Sequence, residues 1–156
     1  MGLGLGKAQQ DKAPKRGKRT QIGALCYREG GNGLEVLLIT SRRTRRWIGP
    51  KGWPIKKKKP WEVAVIEAAE EAGVTGRVQH QRIGHFDYVK DLGSGRSVVC
   101  RVAVYPLCVE TVSNDFPELR ERTRRWLTAE KAAKRADPPA FGRLIRRFAK
   151  TFRHAA

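Results

Sequence analysis

The hydrophobic and polar positions change their period several times along the chain, and the first period is that of β-strands. Apolar, β-prone runs occupy residues 21–28 and 35–41. Residues 29–34 between them contain glycines and an asparagine, which favour a hairpin turn. A second strand pair is predicted over residues 77–89 and 97–109, joined by a loop that contains two glycines.

Between the two strand pairs, the pattern changes to a helical period and predicts a helix over residues 61–72. Pro60 suits the first turn of this helix, and Gly73 suits the left-handed residue that ends one. Three glutamates, spaced three and four apart, share one face of the helix: Glu67, Glu70 and Glu71. We expect the packing face to lie roughly opposite them, formed by Trp61, Val65, Ile66, Ala68, Ala69 and Ala72.

The C-terminal part of the chain predicts a short strand followed by two helices. The strand covers residues 124–127, and Thr128 is placed to cap a helix over residues 129–135. The last helix follows Pro138 and Pro139, and its apolar residues share one face: Phe141, Leu144, Ile145, Phe148 and Phe152. Strands interrupted by helices in this order predict an α/β sandwich around a mixed β-sheet.

The three glutamates of the first helix need a physical explanation. Like charges one turn apart destabilise an exposed helix by a few tenths of a kcal/mol per pair. A bound divalent cation would remove this repulsion. The alternative is a solvated acidic face on an amphipathic helix, which is how most charge clusters occur.

Composition limits the kind of partner that the protein can have. The chain has 156 residues and a formal net charge of +18, which favours an anionic partner. Nucleic acid, polyphosphate and an acidic membrane surface all fit this charge. No run approaches the roughly 18 apolar residues of a membrane span, and we expect no membrane partner. Residues 1–18 are rich in glycine and lysine and predict a disordered basic arm, while residues 19–154 form the expected single domain.

The cysteines indicate a reducing compartment. Cys26, Cys100 and Cys108 lie far apart in apolar runs that are predicted as strands. Their number is odd and their spacing fits neither zinc nor a disulfide framework. We therefore expect buried free thiols and a cytoplasmic protein.

The segment GWPIKKKKPWEVAVIEAAEEAGV, residues 52–74, resembles the Nudix box, the signature of the Nudix hydrolases. The matching residues are Gly52, Glu67, Ala68, Glu70, Glu71, Gly73 and Val74. The chain departs from the box at two positions, where Lys58 replaces a glutamate and Ile66 replaces an arginine. In the family these two residues are understood to brace the loop with a salt bridge, so the departure concerns the loop more than the chemistry.

The resemblance continues on both sides of the box. Residues 19–28, 35–52 and 122–133 are similar to the diphosphoinositol polyphosphate phosphohydrolase branch, which also acts on dinucleoside polyphosphates. The resemblance implies an α/β/α sandwich around a mixed sheet. It also implies hydrolysis of a diphosphate linkage in a highly anionic metabolite.

The resemblance further implies a role for individual residues. Glu67, Glu71 and the backbone carbonyl of Lys51 would bind Mg²⁺, with Mn²⁺ as the alternative ion, and Glu70 would act as the general base. The substrate phosphates would be held by Arg19, Ser41, Arg42, Arg96 and Arg122. A solvated surface position is the alternative for each arginine in a chain this basic. The branch also places a lysine near the start of the last helix, where this chain has Asp137 and Pro138, and this favours a nucleotide over an inositol substrate.

Two features of the box loop leave alternatives open. The four lysines at residues 56–59 either reach the distal phosphates of a polyanion or extend into solvent. Trp47, Trp53 and Trp61 either stack on a base or pack against the core. The second functional hypothesis is a catalytically weakened protein of the same fold that holds RNA or polyphosphate on its basic surface, which Lys58 and Ile66 favour.

Overall fold

The computed structural model describes residues 18–155, so the predicted basic arm lies outside the described residues except for Lys18. Over this range the chain forms eight strands and three helices. The strands are β1 (Arg19–Gly30), β2 (Gly33–Thr40), β3 (Trp47–Ile48), β4 (Lys51–Gly52), β5 (Val74–Val78), β6 (Gly84–Gly93), β7 (Arg96–Val112) and β8 (Arg124–Thr128). The helices are α1 (Pro60–Ala72), α2 (Ala129–Arg135) and α3 (Pro139–Ala155).

All eight strands belong to one mixed sheet with the central order β3-β2-β1-β7-β5. Strands β1 and β7 run parallel at its centre, from Arg19 opposite Cys100 to Tyr27 opposite Cys108. Every other pairing among the described strands is antiparallel, including the predicted β1–β2 hairpin. The predicted mixed sheet is therefore confirmed.

Two helical layers cover the two faces of the sheet and complete the predicted α/β/α sandwich. Side chains alternate between the faces along a strand, and β1 sends Ala24 and Cys26 toward α1 but Leu25 and Tyr27 toward α2 and α3. The core on the α1 side includes Val63, Ala64, Ala68 and Ala72. The core on the other side includes the predicted apolar face of α3, with Phe141, Leu144, Ile145 and Phe148 buried and Phe152 packed at its edge.

The predicted continuous strand over residues 77–89 is wrong. Strand β5 ends at Val78 and β6 begins at Gly84, and both pair with the same edge of β7. Val78 lies opposite Leu107 and Gly84 lies opposite Val104, so residues 79–83 face only two residues of β7 and loop out of the sheet. The ends of this excursion stay attached to β7 by backbone hydrogen bonds, such as that from Ile83 N–H to the Val104 carbonyl at 2.9 Å.

The predicted helix ends are confirmed. Pro60 occupies the first turn of α1, and the Glu62 carboxylate accepts the Lys59 N–H at 2.7 Å. Gly73 ends α1 in the left-handed conformation, with φ of 69°. Thr128 caps α2, because its hydroxyl accepts the Lys131 N–H at 3.3 Å. None of the helices within residues 18–155 is long and apolar enough to cross a membrane.

Candidate active site

A cleft of about 780 Å³ opens beside α1, between the loop after β2, strand β6 and the segment before β8. Its lining contains seven carboxylates: Glu67, Glu70, Glu71, Asp91, Glu118, Glu121 and Asp137. The lining cations are six: Arg42, Arg43, Arg46, Lys51, Lys90 and Arg122. The cleft lining is therefore close to neutral, although the chain as a whole carries +18.

The sequence predicted that the glutamates of α1 lie roughly opposite its packed face, and this prediction is wrong. Glu67 and Glu71 are only 5% and 7% exposed, and fully buried Val63 and Ala64 lie on the same broad side of the helix. The space for Glu67 comes from Gly52 on β4, since a Cβ at that position would strike the Glu67 carboxylate. The acidic side of α1 is thus pressed against the box loop and not turned toward solvent.

Burial and mutual repulsion make this cluster take up protons. Burial raises the pKa of Glu67 to about 9, with further contributions from Glu71 and Glu70. Burial also raises the pKa of Glu71, although Arg122 opposes that shift. The pKa of Glu70 is raised by burial and then by Glu118. A cation bound among these carboxylates would neutralise negative charge that the buried site cannot solvate, as a proton does.

Arg122, predicted to bind substrate phosphate, is buried and already bonded to protein groups. Its side chain is 7% exposed and its Nε donates to Glu118 Oε1 at 2.7 Å. It also donates to the Thr40 carbonyl at 3.0 Å, and its Nη2 lies 3.7 Å from Glu71 Oε1. Arg122 therefore orients Glu71 from behind. Glu118 was not predicted as a site residue, because its only signal in the sequence is its spacing of four residues from Arg122 in an aperiodic segment.

Lys51 contributes more to the cleft than its backbone carbonyl. Its N–H donates to Glu71 Oε1 at 3.3 Å, which places the predicted carbonyl ligand beside a predicted carboxylate ligand. Its ammonium lies 4.8 Å from the centre of the Tyr88 ring. Burial lowers the pKa of this ammonium to about 8, while Glu71 raises it. The Tyr88 hydroxyl donates to Gln21 Oε1 at 2.5 Å, so a bonded pair of side chains supports the lysine.

The remaining predicted substrate residues fall into two groups. Ser41 and Arg42 line the cleft on the β2–β3 loop. Arg19 and Arg96 do not belong to the cleft lining: Arg96 is exposed at the start of β7, and Arg19 begins β1. The Arg19 Nε is buried and has no hydrogen-bond partner among the described residues.

The two departures from the box occupy different surroundings. Lys58 is exposed, as are the other lysines of residues 56–59, and its N–H donates to the Ile55 carbonyl at 3.1 Å. Ile66 lines the cleft. The loop is thus held by its own backbone bond and by the Glu62 contact at the start of α1.

Of the nearby tryptophans, Trp61 stacks on His80 with ring centroids 4.3 Å apart, whereas Trp53 lines the cleft.

The donor atoms fit a hard cation with few protein ligands. Within residues 18–155 no three His, Cys, Asp or Glu side chains stand together as a preformed metal centre. The predicted set needs only two carboxylates and one carbonyl, and Mg²⁺ commonly completes such a set with waters and substrate phosphates. Glu70 Oε2 is buried and, among the described residues, lacks a hydrogen-bond partner. A carboxylate oxygen without a hydrogen-bond partner in an acidic cluster suits a divalent ion.

Comparison with known proteins identifies relatives of the whole described fold. The NUDIX domain model matches residues 17–148. Human diphosphoinositol polyphosphate phosphohydrolase 3-beta is 31% identical over 120 residues, which cover 76% of this chain and 69% of that protein. Nudix hydrolase 16, mitochondrial, of Arabidopsis thaliana is 32% identical over 114 residues. That match covers 71% of this chain but only 63% of the plant protein, so the chain spans less than two thirds of its length.

Solved structures share the same fold. A C. elegans Ap4A hydrolase aligns with a TM-score of 0.61 and 22% identity, covering 87% of this chain and 99% of that one. A NUDIX hydrolase from Nitrosomonas europaea aligns with a TM-score of 0.65 and 12% identity, covering 85% and 88% of the two chains. At these identities the agreement concerns the arrangement of sheet and helices.

Proposed function

The chain belongs to the Nudix family of hydrolases, and we propose that it is a Mg²⁺-dependent pyrophosphohydrolase acting on a diphosphate linkage in a highly anionic metabolite. The observation that carries this proposal is the cleft, whose lining includes Glu67, Glu70 and Glu71, two of them buried. A protein that only bound anions would gain nothing from three carboxylates in its cleft. The candidate substrates are a diphosphoinositol polyphosphate and a dinucleoside polyphosphate.

Glu67, Glu71 and the Lys51 carbonyl are the proposed ligands of Mg²⁺, or of Mn²⁺ in its place. The bound ion would neutralise the diphosphate charge and lower the pKa of the attacking water. Arg122 holds Glu71 in position through contacts with Glu71, Glu118 and the Thr40 carbonyl. Glu70 is the proposed general base, because its Oε2 has no hydrogen-bond partner among the described residues and can accept a proton, and because burial raises its pKa above the ordinary value.

Two features of the cleft favour a dinucleoside polyphosphate over an inositol substrate. Asp137 and Pro138 line the cleft, near the position where the resemblance to the diphosphoinositol branch implies a lysine. Trp53 also lines the cleft and offers a flat ring on which a base can stack. Each substrate class has support from a similar protein, since one relative is named a diphosphoinositol polyphosphate phosphohydrolase and one solved structure is named an Ap4A hydrolase.

We also propose a cytosolic location, because the three free thiols suit a reducing compartment.

The test is Mg²⁺-dependent hydrolysis across diphosphoinositol polyphosphates, dinucleoside polyphosphates, nucleoside triphosphates and ADP-ribose. Glu70→Gln should lower kcat for the accepted class by about 10²–10⁴-fold, the usual contribution of a positioned general base. Glu110→Gln removes an exposed carboxylate outside the cleft lining and should leave kcat unchanged. Near-normal turnover by folded Glu70→Gln would refute the base, and no turnover of any substrate would refute the proposed activity.

A second candidate function, RNA binding by a catalytically weakened enzyme, rests on the outer surface of α2 and α3. This basic face presents seven exposed cations: Lys131, Lys134, Arg135, Arg143, Arg146, Arg147 and Lys150. The one acid of these two helices is Glu130, which lies 3.4 Å from Arg146. Because the cleft lining is nearly neutral, the surplus positive charge lies on surfaces such as this face.

Salt dependence distinguishes the RNA-binding candidate from the hydrolase. Single-stranded RNA held through phosphates should weaken with a log-log slope of about 0.7 per neutralised phosphate. Replacing Arg143 and Lys150 together by Gln should reduce that slope by about 1.4, if each contacts one phosphate. Weak binding that is insensitive to salt in the unsubstituted protein would eliminate RNA as a partner.

A further inference from the structure

Three exposed ion pairs in the lining of the cleft share one feature. Each pair joins an arginine of the β2–β3 loop to a carboxylate from a different part of the chain, and all six side chains line the cleft. The pairs are Arg42 with Glu121 at 3.1 Å, Arg43 with Asp91 at 3.1 Å, and Arg46 with Asp137 at 3.5 Å. One short loop thus faces the β6–β7 hairpin, the segment before β8 and the start of α3.

The loop that presents these arginines, residues 41–46, is held by its own hydrogen bonds. Ser41 N–H donates to the Arg46 carbonyl at 2.8 Å, and Arg45 N–H donates to the Ser41 carbonyl at 3.1 Å. The Ser41 hydroxyl lies 2.7 Å from the Thr44 hydroxyl and accepts the Arg46 N–H at 2.9 Å. Ser41 therefore helps to shape this loop, which we call the arginine turn, and its role in holding phosphate stays a prediction. These hydrogen bonds hold the backbone of the turn without involving the ion pairs.

The three ion pairs are easily exchanged. The side chains of Arg43 and Asp91 are 79% and 62% exposed, and exposed pairs of this kind contribute little to stability. Phosphate offers an arginine a bidentate, charge-assisted contact at least as good as a carboxylate. A polyanion entering the cleft can therefore replace the carboxylates on the arginines. The displaced carboxylates remain nearby and repel the ligand, so a ligand with few phosphates gains less than one with many.

The resemblance already implies that Ser41 and Arg42 of the arginine turn hold substrate phosphates. We propose that Asp91, Glu121 and Asp137 are exchangeable occupants of its arginines, which the phosphates beyond the scissile diphosphate displace, and that these carboxylates thereby select for highly charged ligands. The ligand class is a chain or cluster of at least three phosphates. This inference rests on the proposed function, because it assigns the scissile diphosphate to the carboxylate end of the same cleft. Arg43 and Asp91 are its sharpest test, because their pair is the most exposed of the three.

The experiment measures binding without turnover, by titrating inorganic tripolyphosphate and pyrophosphate with Mg²⁺ into the Glu70→Gln protein. Arg43→Gln should weaken tripolyphosphate binding about 3- to 10-fold, as expected for a charge-assisted contact, and leave pyrophosphate nearly unchanged. Asp91→Asn should tighten tripolyphosphate binding about 2- to 5-fold, the range of an exposed ion pair. Glu110→Gln, which removes a charge from the exposed Arg77 pair, controls for the general field of the protein.

The double variant separates exchange from simple repulsion. If Asp91 is paired with Arg43 in the free protein, Asp91→Asn should tighten tripolyphosphate binding more in the protein that keeps Arg43 than in the Arg43→Gln variant. An equal gain in both backgrounds, or a loss of pyrophosphate binding as large as that of tripolyphosphate, would overturn the proposal. Because the titration needs no hydrolysis, this pattern in a protein without turnover would support the arginine turn while refuting the enzyme. Turnover by the unsubstituted protein, together with additive effects of Arg43→Gln and Asp91→Asn on tripolyphosphate binding, would support the enzyme while refuting the exchange.

Discussion

Helices α1 and α3 cover opposite faces of one sheet and place their charges in opposite ways. Helix α1 buries Glu67 and Glu71 among alanines and a valine, against the loop that carries Gly52. Among its described side chains, which run to Phe152, helix α3 buries only apolar ones and turns Arg143, Arg146, Arg147 and Lys150 to solvent. The same backbone layout thus serves two purposes, since α3 stabilises the sheet while α1 also holds charge where water is scarce.

The difference between the helices shows where folding free energy is given up for chemistry. Buried carboxylates destabilise a fold unless a proton, a cation or a hydrogen-bond donor compensates them. Around α1 the compensation comes from Arg122, from the Lys51 N–H and from protons, as the raised pKa of Glu67 indicates. Helix α3 needs no such compensation. Substitutions on α3 should therefore change stability, whereas substitutions around α1 should change activity.

The largest expected effect is the loss of stability on truncating the buried face of α3. Ile145 is fully buried, and Ile145→Ala should lower the free energy of unfolding by about 2–5 kcal/mol through lost burial and a residual cavity. Below the midpoint of unfolding, kcat per folded molecule should stay the same, because Ile145 does not line the cleft. Denaturant unfolding and steady-state kinetics check both statements.

The matched variant on α1 is Val63→Ala, which removes a buried side chain one turn before Glu67. It should lower stability and kcat together, since the helix that carries the glutamates can then shift. An equal loss of kcat in Ile145→Ala and Val63→Ala would mean that the two helices do not differ in this way.

The second effect concerns two glycines, Gly52 beside α1 and Gly142 within α3. Gly52→Ala should lower kcat by about 100-fold, because the new Cβ displaces the Glu67 carboxylate and small misplacements of catalytic groups cost about that much. In Gly142→Ala the new Cβ meets the Ala133 backbone carbonyl, which cannot move aside as a side chain can. Thermal unfolding should therefore show the larger change for Gly142→Ala, and kinetics the larger change for Gly52→Ala. The opposite ranking would contradict the assignment of α1 to chemistry.

The two helices also show what the sequence pattern could predict. The apolar face of α3 was predicted correctly, because on that helix polar residues are exposed and the pattern directly reflects burial. On α1 the same rule placed the glutamates opposite the packed face, and it omitted Val63 and Ala64 from the core. Periodicity assumes that charges face solvent, and this assumption fails where charges are buried for a function.

Within the site, the signature segment located the three glutamates but not the groups that support them. Glu118 lies in an irregular segment with no period to mark it, and its role depends on a fold that brings it to Arg122. The Lys51 ammonium was missed because its surroundings, Tyr88 and Gln21, come from distant strands. Long-range contacts of this kind become visible only when the parallel pairing of β1 with β7 is known.

The third effect is a pH dependence of stability that α1 should produce and α3 should not. Burial raises the pKa of Glu67 from 4.5 to about 9, so between these values the folded metal-free protein holds a proton that the unfolded chain has released. A group whose folded pKa is raised contributes stability that is complete below the unfolded pKa and is lost as pH rises toward the folded pKa. The melting temperature in a metal chelator should therefore fall as pH rises from 5 to 8. Above pH 8 the lowered pKa of Lys51 acts in the opposite direction, because the folded ammonium then releases its proton before the unfolded one.

Glu67→Gln tests this dependence directly, since the amide keeps the shape of the protonated carboxyl and cannot ionise. Its melting temperature should fall less steeply between pH 5 and 8 than that of the unsubstituted protein. Saturating Mg²⁺ should flatten the slope of the unsubstituted protein as well, because the cation takes the place of the proton. Ile145→Val is the control on α3 and should lower the melting temperature by a similar amount at every pH. A slope that Glu67→Gln leaves unchanged would mean that Glu67 is ionised in the metal-free protein, and the buried acidic cluster would then owe its stability to Arg122 and the Lys51 N–H without help from a proton.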